Sequence, residues 1–373
     1  MAETWQKIRV LFLVVLPLAA VVAAIVLFWN QYVHAKDLLL LALFYVPTTL
    51  GVTIGYHRML THQGFESNRL VRLMFLILGC MACEGTPLDW AATHIKHHAH
   101  SDDDGDPHSP LHGFWHAHMG WLFSKKNFAD AKTYAPHLLD DPVTMFVDKY
   151  SWVWFLLTVS LPFLLGGWTG LIWGAGVRIF LTTHVTWSVN SVCHTFGKRE
   201  FETTDESRNE WIVGLLAFGE GWHNNHHAFP RNAFHGLRWW QVDFSGLLIR
   251  ALERLGLIWN VQRVAEPMLE SHKVNALKRF DAVKTIRAQL LDMLHHAQEE
   301  ISRLRREYGK VPITPEEIDE TVTACESALK RLEEIQKSVL AAHHVRKQKL
   351  DAYVREVQQM VGALKARVSP SRV

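Results

Sequence analysis

Four near-continuous apolar runs constrain this 373-residue chain more than anything else in it: Val10 to Trp29, Leu38 to Ile54, Trp152 to Trp168 and Leu171 to Val192. Runs of about 17–25 residues match the thickness of a bilayer when wound as helices. A helix is also how a lipid-immersed segment satisfies its own backbone. The expected spans are residues 10–29, 38–56, 152–168 and 171–192, the last interrupted by Arg178 and His184. The first run lacks a small-residue cleavage site and is followed closely by the second, so it reads as a span and not as a removed signal peptide. A mean hydropathy of +0.00 with 20% charged residues therefore averages two unlike parts.

Two helical hairpins place both termini on the same side as the long segment between the second and third runs. From Arg58 to Lys149 that segment carries Arg69, Arg72, Lys96, Lys125, Lys126 and Lys132, whereas the Asn30 to Lys36 link has Lys36 alone and the link near Gly166 has no cation. The positive-inside rule puts this side in the cytoplasm. Val71 to Gly85 is apolar but leads into a polar loop, and is expected to lie along or dip into the interface without a fifth crossing.

From about Glu266 the composition changes. Residues 265–373 form a second region, distinct from a membrane domain at 1–264, rich in Glu, Lys, Arg and Gln. Ile286, Leu290, Met293, Leu294, Ala297, Ile301 and Leu304 recur at helical spacing. After Gly309 to Pro312, Thr314-Pro315-Glu316-Glu317 reads as an N-cap, a first-turn proline and a capping glutamate. The expectation is a cytoplasmic helical hairpin or coiled coil, which offers a surface for a homo-oligomer. Cys80, Cys83, Cys193 and Cys325 are expected as free thiols, and the Cys80/Cys83 pair as packing. A net charge of +2 with no basic patch interleaved with aromatics gives no sign of nucleic-acid binding.

Three histidine clusters lie beside the apolar runs, all on the side assigned to the cytoplasm: His57 with His62, His94 with His97 and His98, and His223 with His226 and His227. Neutral imidazole suits iron, zinc, copper and nickel, whereas magnesium and calcium prefer oxygen. The spacing i, i+3, i+4 in the second and third clusters puts each trio on one face of a helix. His57 and His62 are five apart, roughly 140° on an ideal helix, so they serve one metal only if the helix ends or distorts between them, and the end of a transmembrane helix is expected there. His100, His108, His112, His116, His118, His184 and His235 lack the repeated spacing and are expected to be ordinary packing or interfacial residues.

The stretches Gly55-Tyr-His-Arg-Met-Leu-Thr-His62, His94-Ile-Lys-His-His98 and Gly219-Glu-Gly-Trp-His-Asn-Asn-His-His-Ala-Phe-Pro230 resemble the three histidine boxes of the integral-membrane fatty acid desaturases. The resemblance is nearest to the stearoyl-CoA, or acyl-CoA Δ9, branch. It covers about Leu38 to Trp240, with support from Asp106-Pro-His108, Gly120-Trp121 and Thr186-Trp-Ser-Val-Asn-Ser-Val-Cys-His194. It implies an all-α membrane protein with four transmembrane helices, a cytoplasmic helical cap and a diiron centre held by nine histidines. Carried over by motif, one iron takes His57, His62, His94, His98 and His226, and the other His97, His194, His223 and His227. Asn190, one turn before His194, would hold a water on one iron. Thr186 and Trp187 are candidates for lining a bend in the acyl tunnel. The activity implied is O2-dependent insertion of a cis double bond, Δ9 in position, into a saturated acyl chain.

One departure bears on the substrate. Where the animal acyl-CoA enzymes carry an Arg-Asp pair before the second box, Ala92-Thr93 stand here. The acyl group is thus expected on coenzyme A held by other residues, on a lipid or on a carrier protein. The chain has no H-P-G-G haem motif and no four-thiolate ferredoxin spacing, so electrons are expected from a separate ferredoxin, rubredoxin or cytochrome b5-type donor. These features point to a bacterial inner membrane. Two rival readings are a histidine-box hydroxylase or ketolase, and a histidine-rich metal transporter. A transporter should carry ionisable groups through several spans, yet the clusters gather on one side.

Overall fold

The structure, a computed structural model, describes residues 2–29 and 33–274. The two amphipathic helices expected beyond residue 286 lie outside the described residues. Helix α1 (Ala2–Trp29) turns Leu11, Phe12, Leu16, Val22 and Ile25 outward, as a lipid-facing helix does. Helix α2 (Ala35–Leu50) opens on Asp37, whose carboxylate accepts the His34 N–H at 2.9 Å. It runs without a break into a π-helical stretch, Gly51–Thr61. Helix α3 (Arg69–Met81) is capped by Asn68, which accepts the Val71 N–H at 2.9 Å. Its 13 residues reach about 20 Å, too short to cross a bilayer. Helix α4 (Pro87–His100) starts on the Thr86 cap with proline in its first turn.

Three helical stretches are long and apolar enough to cross a membrane: Gln6–Leu27, Ala35–Thr61 and Ser151–Ser191. The third, of 41 residues, comprises α5 (Ser151–Gly170), a π-helical turn (Leu171–Val177) and α6 (Arg178–Ser191). At Gly167 the backbone leaves the helix, with φ 60° and ψ −143°, a conformation suited to glycine. Beyond it the chain folds back on itself. A Cβ on Gly170 would meet the Pro162 carbonyl oxygen at 2.2 Å, and one on Gly174 the Pro162 side chain at 2.8 Å.

The main core sits on the histidine side. Ile54, Tyr56, Met59 and Leu60 pack there against Phe75, Leu76, Cys80, Ala91, Ala92 and Ile249. Gly51 and Gly55, four apart, let the α2 stretch touch α3: a Cβ on Gly51 would meet the Gly79 nitrogen at 2.3 Å, and one on Gly55 the Phe75 carbonyl oxygen at 2.8 Å. Arg178, fully buried, donates to the Met81 carbonyl at the end of α3 (2.9 Å) and to Thr158 Oγ1 (2.8 Å). Its charge thus faces the negative end of a helix dipole. Helices α7 (His223–Ala228) and α8 (Phe244–Arg254) complete the cap, with a two-residue ladder pairing β1 (Glu66–Ser67) with β2 (Ile258–Trp259). Cys80, Cys83 and Cys193 are unpaired. A second unit begins at Ala265 and contributes the short helix Glu266–His272 to the described residues.

Candidate metal centre and cavity

The spacing problem between His57 and His62 is solved by the π-helix. The His62 N–H bonds to the His57 carbonyl at 3.1 Å, an i→i+5 turn that stacks the two residues one above the other. Helix α4 presents His94, His97 and His98; helix α7 presents His223, His226 and His227. His194 follows the end of α6.

Two sets of imidazoles converge. One comprises His57, His62, His94, His98 and His226, the other His97, His194, His223 and His227, and within each set the potential ligand atoms lie within 4.8 Å of one another. These are the two groupings expected by resemblance. Contacts between Nε2 atoms are 3.0 Å for His57 and His226, 3.1 Å for His62 and His94, and 3.0 Å for His194 and His223. The sets adjoin, with the rings of His98 and His227 stacked 4.4 Å apart.

Carboxylates fix which nitrogen faces inward. His57 Nδ1 lies 2.5 Å from Glu220, His97 Nδ1 3.0 Å from Asp106, His194 Nδ1 2.9 Å from Asp102 and His227 Nδ1 2.6 Å from Asp205. A carboxylate accepts, so each Nδ1 carries the proton and each Nε2 points inward as a bare lone pair. His97 Nε2 and His227 Nε2 are buried with no hydrogen-bond partner. Converging lone pairs repel unless a cation lies among them. Nitrogens about 3.0 Å apart are what neighbouring ligands on a metal with bonds of about 2.1 Å present. Burial also keeps the rings neutral: it holds His94, His98, His223 and His226 well below the ordinary imidazole value and pushes His227 down to about 4. Neutral imidazole is the form that binds metal. The arrangement fits a metal centre of two ions.

Beside the sets lies a cavity of about 370 Å³, lined from α1 by Val10 and Leu13, from α2 and the π-helical stretch that continues it by Thr49, Val52 and Thr53, and from α6 by Thr186, Trp187 and Asn190. His57, His94 and His223 form part of its wall. Thr186 and Trp187, expected at a tunnel bend, thus both line it. Glu84, also on the wall, was not foreseen from the sequence. Burial pushes its carboxyl up to about 8, with Thr186 and Trp90 offsetting part of the rise, and its Oε1 has no hydrogen-bond partner.

A fatty acid desaturase family model matches residues 37–245, more than half of the chain. The chain belongs to the fatty acid desaturase family. It is 42% identical over 224 residues to an sn-1 stearoyl-lipid 9-desaturase of Anabaena variabilis, covering 60% of this chain and 82% of that one. It is 40% identical over 244 residues to an sn-1 stearoyl-lipid 9-desaturase of Synechocystis, covering 64% and 76%. A hex-5-enoyl-[acyl-carrier protein] acetylenase of Moorena producens is 36% identical over 281 residues, covering 70% and 87%. As members of this family are oxidoreductases acting on fatty acyl groups, so this chain is a fatty acyl desaturase.

In this desaturase the residues that sequence reasoning missed are mostly acids. Glu220 stands three before His223, and Asp102 and Asp106 follow His97 by five and nine, but acids near a histidine box carry no distinctive spacing. Arg58 is buried between Glu220 (3.0 Å) and Asp243 (2.9 Å). Burial would raise Glu220, yet His235, His57 and Arg58 hold it well below the usual carboxylate range. His108 and His235, expected as ordinary packing residues, lie against the two sets: the His108 ring is 4.3 Å from that of His97, and His235 is 4.5 Å from His226. His118 and His184 pair away from both sets, at 3.0 Å.

Proposed function

We propose that this desaturase inserts a cis Δ9 double bond into a saturated acyl chain carried by a membrane lipid, using O2, two iron ions and an external electron donor. The observation that carries the reading is the pair of convergent histidine sets forming one wall of an apolar cavity. His57, His62, His94, His98 and His226 would hold one iron, and His97, His194, His223 and His227 the other. When bound, such a pair supplies the O2-derived oxidant needed to take hydrogen from an unactivated methylene.

The protein's own residues bind, orient and exclude water. Val10, Leu13 and Val52 give the acyl chain a dry path beside the histidines, and Thr186 and Trp187 shape the wall that selects the carbon presented to them. Asn190 lies on the same wall and would hold a water on one iron. Glu84, neutral below about pH 8, keeps a formal charge out of the path. For the head group, Ala92 is fully buried and Thr93 nearly so, accepting the Ala129 N–H at 3.4 Å, so neither is free to meet coenzyme A phosphates. Relatives named as stearoyl-lipid desaturases support a lipid-borne chain.

The break at Gly167 supports four crossings, Ser151–Ser191 passing the membrane twice. All nine histidines then face one side, the cytoplasm of a bacterial inner membrane, where a ferredoxin, rubredoxin or cytochrome b5-type donor has access. The test is expression in a desaturation-deficient host, with fatty-acid chromatography of lipid classes. A Δ9 monoene appearing first in a glycerolipid is expected. Oxygenated products, or no new double bond from iron-loaded protein with a working donor, would overturn the reading.

A further inference from the structure

The two histidine sets differ in the charge that surrounds them. In the four-histidine set, three of the rings back onto aspartates: His97 on Asp106, His194 on Asp102 and His227 on Asp205. Backbone donors hold each aspartate as well, with the His108 ring 3.6 Å from Asp106 and the Ser207 side chain also bonded to Asp205. Asp102 accepts the Glu206 N–H at 2.7 Å, Asp106 those of Asp102 (2.9 Å) and His108 (3.0 Å), and Asp205 that of Ser207 (3.0 Å). Such donor-only surroundings fit ionised carboxylates. Among the described residues, no Lys or Arg pairs with any of the three.

The five-histidine set is different. Only His57 backs onto a carboxylate, Glu220, and the other oxygen of Glu220 faces the Arg58 guanidinium at 3.0 Å. Arg58 is shared with Asp243, which leaves one net negative charge on that side against three on the other. A carboxylate behind a ligand histidine raises its basicity, and a fixed anion stabilises a trivalent ion more than a divalent one.

We propose that Asp102, Asp106 and Asp205 are positioning residues that make the four-histidine set the electron-rich half of the centre, so that when one of two bound irons is oxidised the ferric ion resides there. The inference rests on the two-iron reading above. The ordering is a property of the protein side chains alone and holds without substrate.

The test uses the full-length protein loaded with 57Fe in the ferrous state and oxidised by one electron per pair with ferricyanide. Mössbauer spectra of the wild type, Asp205→Asn and Glu220→Gln are then compared. Asn keeps one acceptor oxygen for His227 and removes the charge, at the cost of the acceptor that the second carboxylate oxygen offers the Ser207 N–H. The expected result is a ferric component altered by Asp205→Asn, whose first reduction potential also rises, and a ferrous component altered by Glu220→Gln. A ferric component changed by Glu220→Gln and untouched by Asp205→Asn would overturn the proposal. Should a variant not assemble, electron–nuclear double resonance on the oxidised wild type counts histidine nitrogens on the ferric ion: four support the assignment, five overturn it. Fewer than two irons per wild-type chain would remove the two-iron reading itself, and the ordering with it.

Discussion

Glu84 shows how one side chain can set a condition on substrate entry. Its carboxyl lines an apolar cavity, and burial raises its pKa from 4.5 to about 8. Ionisation above that value places an anion in the proposed acyl path. If only the neutral form accepts the chain, the apparent KM rises about tenfold per pH unit above pH 8, and Glu84→Gln removes that rise. A KM profile in the Gln variant identical to wild type would sink the idea. The same pKa has a folding consequence. Between 4.5 and 8 the folded state keeps a proton the unfolded chain has lost, so this group's contribution to stability falls as pH rises through that window. Arg58 is the opposite kind of residue, a buried charge fully matched by Glu220 and Asp243. Arg58→Leu strands two buried carboxylates and is expected to lower stability by about 3–5 kcal/mol, read as a fall in Tm in detergent.

At the scale of elements, the π-helix Gly51–Thr61 is what turns an awkward i, i+5 spacing into a shared face. The sequence showed that the helix had to end or distort near His57, and an end was expected; instead the helix continues past His57 as a π-helix. The choice depends on α3, which packs so closely on Gly51 and Gly55 that no Cβ fits. Gly51→Ala forces backbone apart at 2.3 Å, with an expected cost of about 1–3 kcal/mol and a loss of bound metal, since His57 and His62 ride on the same stretch. Unchanged metal content in that variant would separate the packing from the site. The break at Gly167 is the second decisive element. Trp168, 72% exposed at the turn, when replaced by cysteine in a cysteine-free background should react with impermeant thiol reagents only from the face opposite the histidine sets. Reaction only from the histidine face would remove the fourth crossing.

For the whole molecule, the consequence is a protein whose metal-free state is tense. Buried neutral imidazoles, with His227 at about 4, resist protons that the unfolded chain takes up near 6.5. The stability of chelator-treated protein should therefore fall as pH drops from about 6.5 toward 4, and metal should restore a higher Tm at each pH. A Tm that stays flat over that range in the metal-free protein would contradict the geometry. The apolar runs and the three histidine boxes were legible in the chain because both are local patterns: bilayer length and helical spacing need only neighbours in sequence. The grouping of nine histidines into two sets was carried by resemblance and not by spacing. What the sequence determined by itself was thus a membrane-embedded helical protein with histidines aimed at a transition metal. Tertiary structure alone decided the acids behind the rings, the π-turn that aligns His57 with His62, and the burial of Glu84 in the cavity wall. Each of these depends on groups far apart in the chain meeting in a low-dielectric interior, where the identity of a neighbour, and not its distance along the sequence, sets charge and tautomer.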